Sequence, residues 1–422
     1  MAPLKYWLWF TQRHYGSRAD QFRLLEYFGT PEAAYFADDQ EYELAEGLSR
    51  QTRMSLRDKS MERAERILED CDRLGLRMLT FQDAEYPDRL KHIYDPPVLL
   101  YMKGKAFAFD EEVAVGVVGT RKPSPYGIRM AGKLGLELAR GGALVVSGIA
   151  QGVDGAALQG ALRGGGQVVS VLAGGIDVVY PAEHAGLYAD VAAMGALISE
   201  YPPGTEHRGN HFPVRNRIIS GLTLGVVAVE GAVRSGTMIT ARLALEQDRD
   251  VFAVPGPVDA PMSVGTNHLI KMGAARLVES GQDILEEYAA RFPHKLRLDK
   301  PLSAREEAAR LEGLSASLSG GRGMETEVEK CGKEQTDSQK VIDNCESIEY
   351  IDWKDGQKEL TDDQRDILLV LGKGMHTVDE LVELTQIPAR RVLSAMTLLQ
   401  LSGYVTEQPG KRFQTRVIIM ME

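Results

Sequence analysis

Between residues 113 and 285, short apolar runs alternate with stretches of helical length, and this rhythm constrains the fold more than any other feature. The runs at 113–118, 143–147, 168–172, 196–199, 224–229 and 251–254 are nearly continuous in Val, Leu, Ile and Ala. Strands of that kind suit a sheet covered on both faces. The segments 126–140 and 237–247 carry apolar residues at helical spacing. Repeated strand–helix–strand units predict an α/β domain over residues 113–290: a Rossmann-like, doubly wound parallel sheet.

The flanks read differently. Residues 1–75 predict a small helical domain. Phe22, Leu25 and Phe28 keep helical spacing, and Gly29-Thr30-Pro31-Glu32 supplies a stop and a new N-cap. From Met61 to Leu74 the residues Ala64, Ile67, Leu68 and Cys71 share one side. The short glycine-containing turns resemble helix-hairpin-helix modules, while a packing or dimerisation appendage fits the same pattern. Residues 76–112 read as a connector, since Glu85-Tyr86-Pro87 and Asp95-Pro96-Pro97 break any helix, with a short strand at 98–101. Residues 301–357 are rich in Ser, Gly and Glu and read as a flexible acidic linker, near whose end Tyr350 and Trp353 offer docking groups. Residues 358–422 predict three helices and a β wing around Pro409-Gly410-Lys411-Arg412-Phe413, a winged helix-turn-helix.

Length agrees with this division, because 422 residues exceed one ordinary core. The net charge of −11 argues at first against nucleic acid. Residues 301–357, however, hold thirteen acidic and seven basic side chains, a net −6 in the predicted linker alone. A local basic groove is compatible with the remainder. No run of about 18 apolar residues predicts a membrane helix, and Met1–Phe10 lacks the features of a signal peptide. Cys71, Cys331 and Cys345 make neither a metal spacing nor a disulfide framework. A cytoplasmic protein without metal or cofactor is expected.

Site motifs were weighed against the glycines at strand ends, where open α/β sheets bind ligands. The dinucleotide fingerprint fails: the chain reads Gly116-Val117-Val118-Gly119-Thr120-Arg121, and the next strand ends in Ser147 rather than an acid. Gly127 to Lys133 matches the spacing of a phosphate loop, but Leu134 stands where magnesium needs a hydroxyl and the segment lies inside a predicted helix. Catalytic spacings are absent, and Asp154 reads as a helix cap or the orienter of an arginine. What remains suits an anion. Gly119, Thr120, Arg121 and Ser124 lie between a strand and a helix, as do Ser147, Gly148 and Gly152, then Ser235, Gly236 and Thr237. Phe212, Arg215, Asn216 and Arg217 add cations and a ring. A row of phosphate seats with a stacking surface describes a groove that tracks a single strand.

These residues closely resemble the core of the DNA-processing protein A (DprA/Smf) family. The resemblance rests on Gly119-Thr-Arg121, Ser124, Tyr126-Gly127, Ser147-Gly-Ile-Ala-Gln-Gly-Val-Asp154, Gly174-Gly-Ile-Asp-Val-Val-Tyr-Pro181, Ser199-Glu-Tyr-Pro-Pro-Gly204, Phe212-Pro-Val-Arg-Asn-Arg-Ile-Ile219, Val254-Pro-Gly256 and Gly265-Thr-Asn267, in order over roughly residues 80–285. It implies a single-stranded DNA-binding, dimeric, non-enzymatic protein. Such a protein protects incoming DNA and hands it to a RecA-type recombinase during natural transformation and recombination. One departure is visible: Ala157-Leu158 stands where the family usually has Ala-His, which points to packing at that position. The competing expectation is an enzyme like the nucleotide phosphoribohydrolases of related Rossmann-like fold. Val264-Gly-Thr-Asn267 matches part of their loop but lacks its preceding glycines and acid.

Overall fold

The computed structural model describes residues 4–15, 19–298, 304–312 and 349–352, and from 362 to 420 all but 373, 386, 390, 393, 394, 397, 398, 400–403, 409–411 and 416. Six short helices come first: α1 (Leu4–Thr11), α2 (Ala19–Phe28), α3 (Pro31–Phe36), α4 (Asp39–Leu44), α5 (Arg50–Leu56) and α6 (Glu62–Leu74). Local chemistry sets their boundaries. Thr30 accepts the Ala33 N–H with Pro31 in the first turn, Asp38 and Glu41 form a reciprocal capping box, and Gly75 closes α6 in the left-handed region. Helix α1 buries Tyr6, Trp7, Leu8, Trp9 and Phe10. The apolar core runs without a break from Trp7 through Leu76 and Leu99 to Val115 and Tyr288, so these helices share their interior with the sheet.

The sheet has nine strands. In chain order they are β1 (Arg77–Thr80), β2 (Leu99–Gly104), β3 (Ala114–Val118), β4 (Leu144–Ser147), β5 (Val168–Leu172), β6 (Ala196–Ser199), β7 (Gly225–Ala228), β8 (Asp250–Ala253) and β9 (Arg276–Leu277). Across the sheet they lie β1-β2-β6-β5-β4-β3-β7-β8-β9. Strands β3 to β9 are parallel to one another, while β2 runs antiparallel to both β1 and β6. The stretch expected to be a connector with one short strand at 98–101 thus adds two strands to one edge, the second being β1. The chain winds outward from β3 to β6, then returns to lay β7 on the other side of β3, with Val118 opposite Ala228. That reversal opens a crevice beyond the carboxyl ends of β3 and β7.

Helices α7 (Asp88–Lys91), α8 (Pro125–Arg140), α9 (Val153–Arg163), α10 (Ala185–Met194), α11 (His211–Leu222), α12 (Gly236–Glu246), α13 (Val264–Lys271) and α14 (Gly281–Ala289) complete this unit. The phosphate-loop lookalike lies inside α8, as its sequence predicts. Helices α8 and α9 meet backbone to backbone. A Cβ on Gly135 would come 2.1 Å from the Ala157 carbonyl oxygen, and one on Gly160 equally close to that of Gly132. Leu158 is fully buried in the core beside them, consistent with packing at that position. Within the expected linker, α15 (Ala304–Leu311) is ordered: Arg163 donates to the carbonyls of Arg310 and Glu312 at 3.1 and 2.9 Å. Residues 313–348, with Cys331 and Cys345, lie outside the described residues, as does Trp353.

The chain divides into two units, residues 1–331 and 332–422. In the second, β10 (Glu349–Asp352), which holds Tyr350, pairs in parallel with β14 (Val417–Met420). Helices α16 (Asp362–Leu371) and α17 (Val378–Thr385) pack with Val392, Met396 and Leu399. Strand β11 (His376–Thr377) joins a wing of β12 (Val405–Gln408) and β13 (Arg412–Thr415). This is the expected winged helix, although the wing tip lies outside the described residues. Arg391 makes two bonds to the Asp363 carboxylate, at 2.6 and 2.7 Å. Among the described residues no helix is long and apolar enough to cross a membrane.

Candidate nucleic-acid interface

At the crevice the structure gathers two of the predicted turns around Glu230, a buried acid two residues beyond β7. Its carboxylate accepts the Ser124 backbone N–H at 2.8 Å and the Ser124 hydroxyl at 2.5 Å, and its carbonyl accepts the Thr120 N–H at 2.8 Å. Thr237 donates to the same carbonyl at 3.4 Å. Ser124 also accepts the Gly127 N–H, capping α8. The loop after β3 is therefore pinned to the loop after β7 by one residue. The apolar strand that precedes it gives Glu230 away as an anomaly: an acid there must be satisfied internally.

The hydroxyls were expected to face a phosphate, and here the structure corrects the sequence reading. Ser124 gives its proton to Glu230, fully buried Ser147 gives its own to the Val117 carbonyl at 2.6 Å, and Ser235 gives its own to Ala232 at 2.8 Å. Thr237 is buried as well. These side chains hold turns in place instead of offering donors to a ligand. Gly119 ends β3, exposed Gly236 opens α12, and Gly152 caps α9 with φ +83°, a conformation that favours glycine.

Three arginines share the crevice with very different surroundings. Arg121 is half-buried, its guanidinium carbon 4.3 Å from the centroid of the Phe212 ring. Arg215 also lies over that ring, 5.8 Å from its centroid, and is buried. It donates to the carbonyls of Gly148, at 2.8 Å, and Val171, and to the Asn216 side-chain oxygen at 3.2 Å. Burial pushes its pKa down to about 10, against the pull of Asp154. Asp154 accepts the Gly148 N–H at 3.1 Å, and burial raises its carboxyl pKa against the attraction of Arg215 and Arg121. Asp154 is thus tied to the backbone of the turn after β4. Arg217 is buried between Asp95 and Glu200, at 3.1 and 2.7 Å. Burial opposes its charge, but the Glu200 and Asp95 carboxylates outweigh it and hold the guanidinium above the usual arginine range. The expected phosphate ligands Arg215 and Arg217 are thus committed to the protein.

Exposed cations do border the crevice, on residues that the motif reading passed over. Lys122 follows β3, Arg208 follows β6 and Arg234 follows β7. Aromatic rings are equally concentrated. Phe212, 7% exposed, lies 6.0 Å from Tyr180 and 6.2 Å from His207, and Tyr201 stacks on His211 at 4.2 Å and 18°. Burial lowers the pKa of His207 to about 4 and also depresses His211, so both rings are neutral near pH 7. Neutral rings and exposed cations at strand ends suit stacking of bases and pairing with phosphates.

Comparison with known proteins agrees with the motif resemblance. A family model described as DNA recombination-mediator protein A matches residues 77–289, and one described as the DprA winged helix domain matches residues 354–411. The chain is 41% identical to the DNA processing protein DprA of Bacillus subtilis, over 54% of this chain and 76% of that one. It is 43% identical to the DprA of Streptococcus pneumoniae, over 53% of this chain and 73% of that one. The identity with the Smf protein of Synechocystis is 30%, over 83% of each chain. The X-ray structure of the S. pneumoniae protein superposes with a TM-score of 0.59 at 34% identity, covering 68% of this chain and 99% of its own. Since one model spans the sheet from β1 to the end of α14 and the other falls on the second unit, the chain belongs to the DprA/Smf family of DNA-processing proteins.

Proposed function

We propose that the protein binds single-stranded DNA along the strand-end crevice, protects it, and presents it to a RecA-type recombinase, acting as a cytoplasmic homodimer without catalytic turnover. The observation that carries the binding half is the Arg121–Phe212 pair at the crevice, flanked by exposed Lys122, Arg208 and Arg234. A cation over a ring beside further cations serves both parts of a nucleotide, the base by stacking and the phosphate by charge. Absence of turnover accords with Asp154, which holds the Gly148 N–H from a buried position rather than facing open solvent as a base. A dimer would hold two segments of one strand and raise avidity through effective concentration.

Three measurements test this. Fluorescence anisotropy with oligo-dT against duplex of the same length should show preference for the single strand. Strand exchange by a RecA-type protein on DNA coated with single-strand-binding protein should be relieved by the full-length chain and not by its Arg121→Ala variant. Tight strand binding without relief would leave the protective role and remove the mediator role. Release of base or ribose phosphate from a nucleotide, abolished by Asp154→Asn, would overturn the non-enzymatic reading.

A further inference from the structure

Tyr94 is 90% exposed, an unusual state for a large aromatic side chain in a loop between buried elements. Its neighbours on either side are fixed. Ile93 is buried against Gly221 of α11, and Asp95 accepts from Arg217 at 3.1 Å. The other arm of Arg217 holds Glu200, at 2.7 Å, next to Tyr201. One guanidinium therefore brings together the backbone that carries Tyr94 and the backbone that carries Tyr201. Strand pairing gives the same placement. Strand β2 is antiparallel to β6, with Tyr101 opposite Ser199, so the start of β2 lies at the carboxyl end of β6, on the crevice edge. Tyr201 in turn stacks on His211, adjacent to Phe212. Phe212 and Arg217 are five residues apart on α11, about 7.5 Å along its axis, or roughly two base steps of 3.4 Å.

We propose that Tyr94 is a nucleobase-stacking platform that continues the strand path from Phe212, past the Tyr201–His211 stack, to the β2 edge of the crevice. It rests on the single-stranded DNA reading and extends it. The chemistry at this end is aromatic: the Arg217 guanidinium already faces two carboxylates, so the edge favours a base over a phosphate. The Asp95–Arg217–Glu200 cluster thus positions a ring and makes no phosphate contact itself.

The test uses the full chain with oligo-dT of two lengths, a 6-mer and a 20-mer, followed by anisotropy. Tyr94→Ala should weaken binding of the 20-mer about tenfold, the scale of one lost base–ring stack. It should leave the 6-mer and the melting temperature nearly unchanged, and Tyr94→Phe should restore the 20-mer. In Tyr94→Trp, the additional emission relative to wild type should be quenched when the 20-mer binds. If the 20-mer binds Tyr94→Ala like wild type, or the added emission is unaffected at saturation, Tyr94 is not a platform. A change in oligomeric mass on Tyr94→Ala with unaltered DNA affinity would likewise overturn the proposal, assigning the ring to a protein contact. Failure of wild type to bind either oligonucleotide would remove both this proposal and the reading beneath it.

Discussion

The guanidinium carbon of Arg121 lies over Phe212, 4.3 Å from the ring centroid, joining the loop after β3 to the first turn of α11. The two residues are 91 positions apart, and their meeting places a half-exposed cation on a nearly buried ring at the mouth of the crevice. On the proposed reading, a single strand entering there would meet charge first and the ring behind it.

Arg121→Ala should weaken oligo-dT binding and reduce the slope of log K against log salt by about 0.7, the value for one phosphate contact on a single strand. Lys122→Ala should reduce the slope by a similar step, because its side chain is exposed on the same loop. Titrations at several salt concentrations check both. An unchanged slope for both variants would place the strand elsewhere.

Arg217→Ala should behave in the opposite manner. Its partners are carboxylates, so its loss should cost about 2–3 kcal/mol in urea unfolding, at or below the low end for breaking a buried pair because both acids keep some contact with water. The salt slope of DNA binding should stay at the wild-type value.

Phe212→Ala should affect stability and binding together. The ring is buried against Tyr180, His207 and both arginines, and truncation should cost about 3 kcal/mol. Phe212→Leu keeps most of the volume and should recover most of the melting temperature while leaving oligo-dT affinity low. If leucine restores both, the ring serves packing only.

Acid should weaken the fold through His207. Burial lowers its pKa to about 4, below the unfolded value of about 6.5. Between those values the unfolded chain binds the proton and the folded one does not, so stability falls as pH drops from about 6.5 towards 4. The full contribution is present above about 6.5. Melting temperatures measured across that window should decline more steeply for wild type than for His207→Gln.

The central strands were legible because each is a continuous apolar run, and β5 and β6 begin and end where their sequence places them. Strand β1 was not, since Arg77-Met-Leu-Thr80 mixes polar and apolar residues, and β9 is only two exposed residues long. Both owe their pairing to neighbours that local pattern does not contain. The same holds in the crevice. The glycine turns were readable from spacing, but the partners of their side chains were not: Ser124 finds Glu230 across 106 positions, and Arg217 finds Asp95 across 122. A hydroxyl beside a glycine turn looks available until the buried acid that claims it is known.

The contact of α8 with α9 has a kinetic consequence. With Gly135 against Ala157 and Gly132 against Gly160, neither helix can slide or roll past the other without backbone collision. The amino ends of these two helices carry the loops after β3 and β4, so both walls of that part of the crevice are mounted on one stiff pair. On the proposed reading, a strand arriving there would find its contacts already arranged, with little chain entropy lost on capture. Association should therefore proceed as rigid docking, with variants along the crevice differing mainly in how fast the strand leaves.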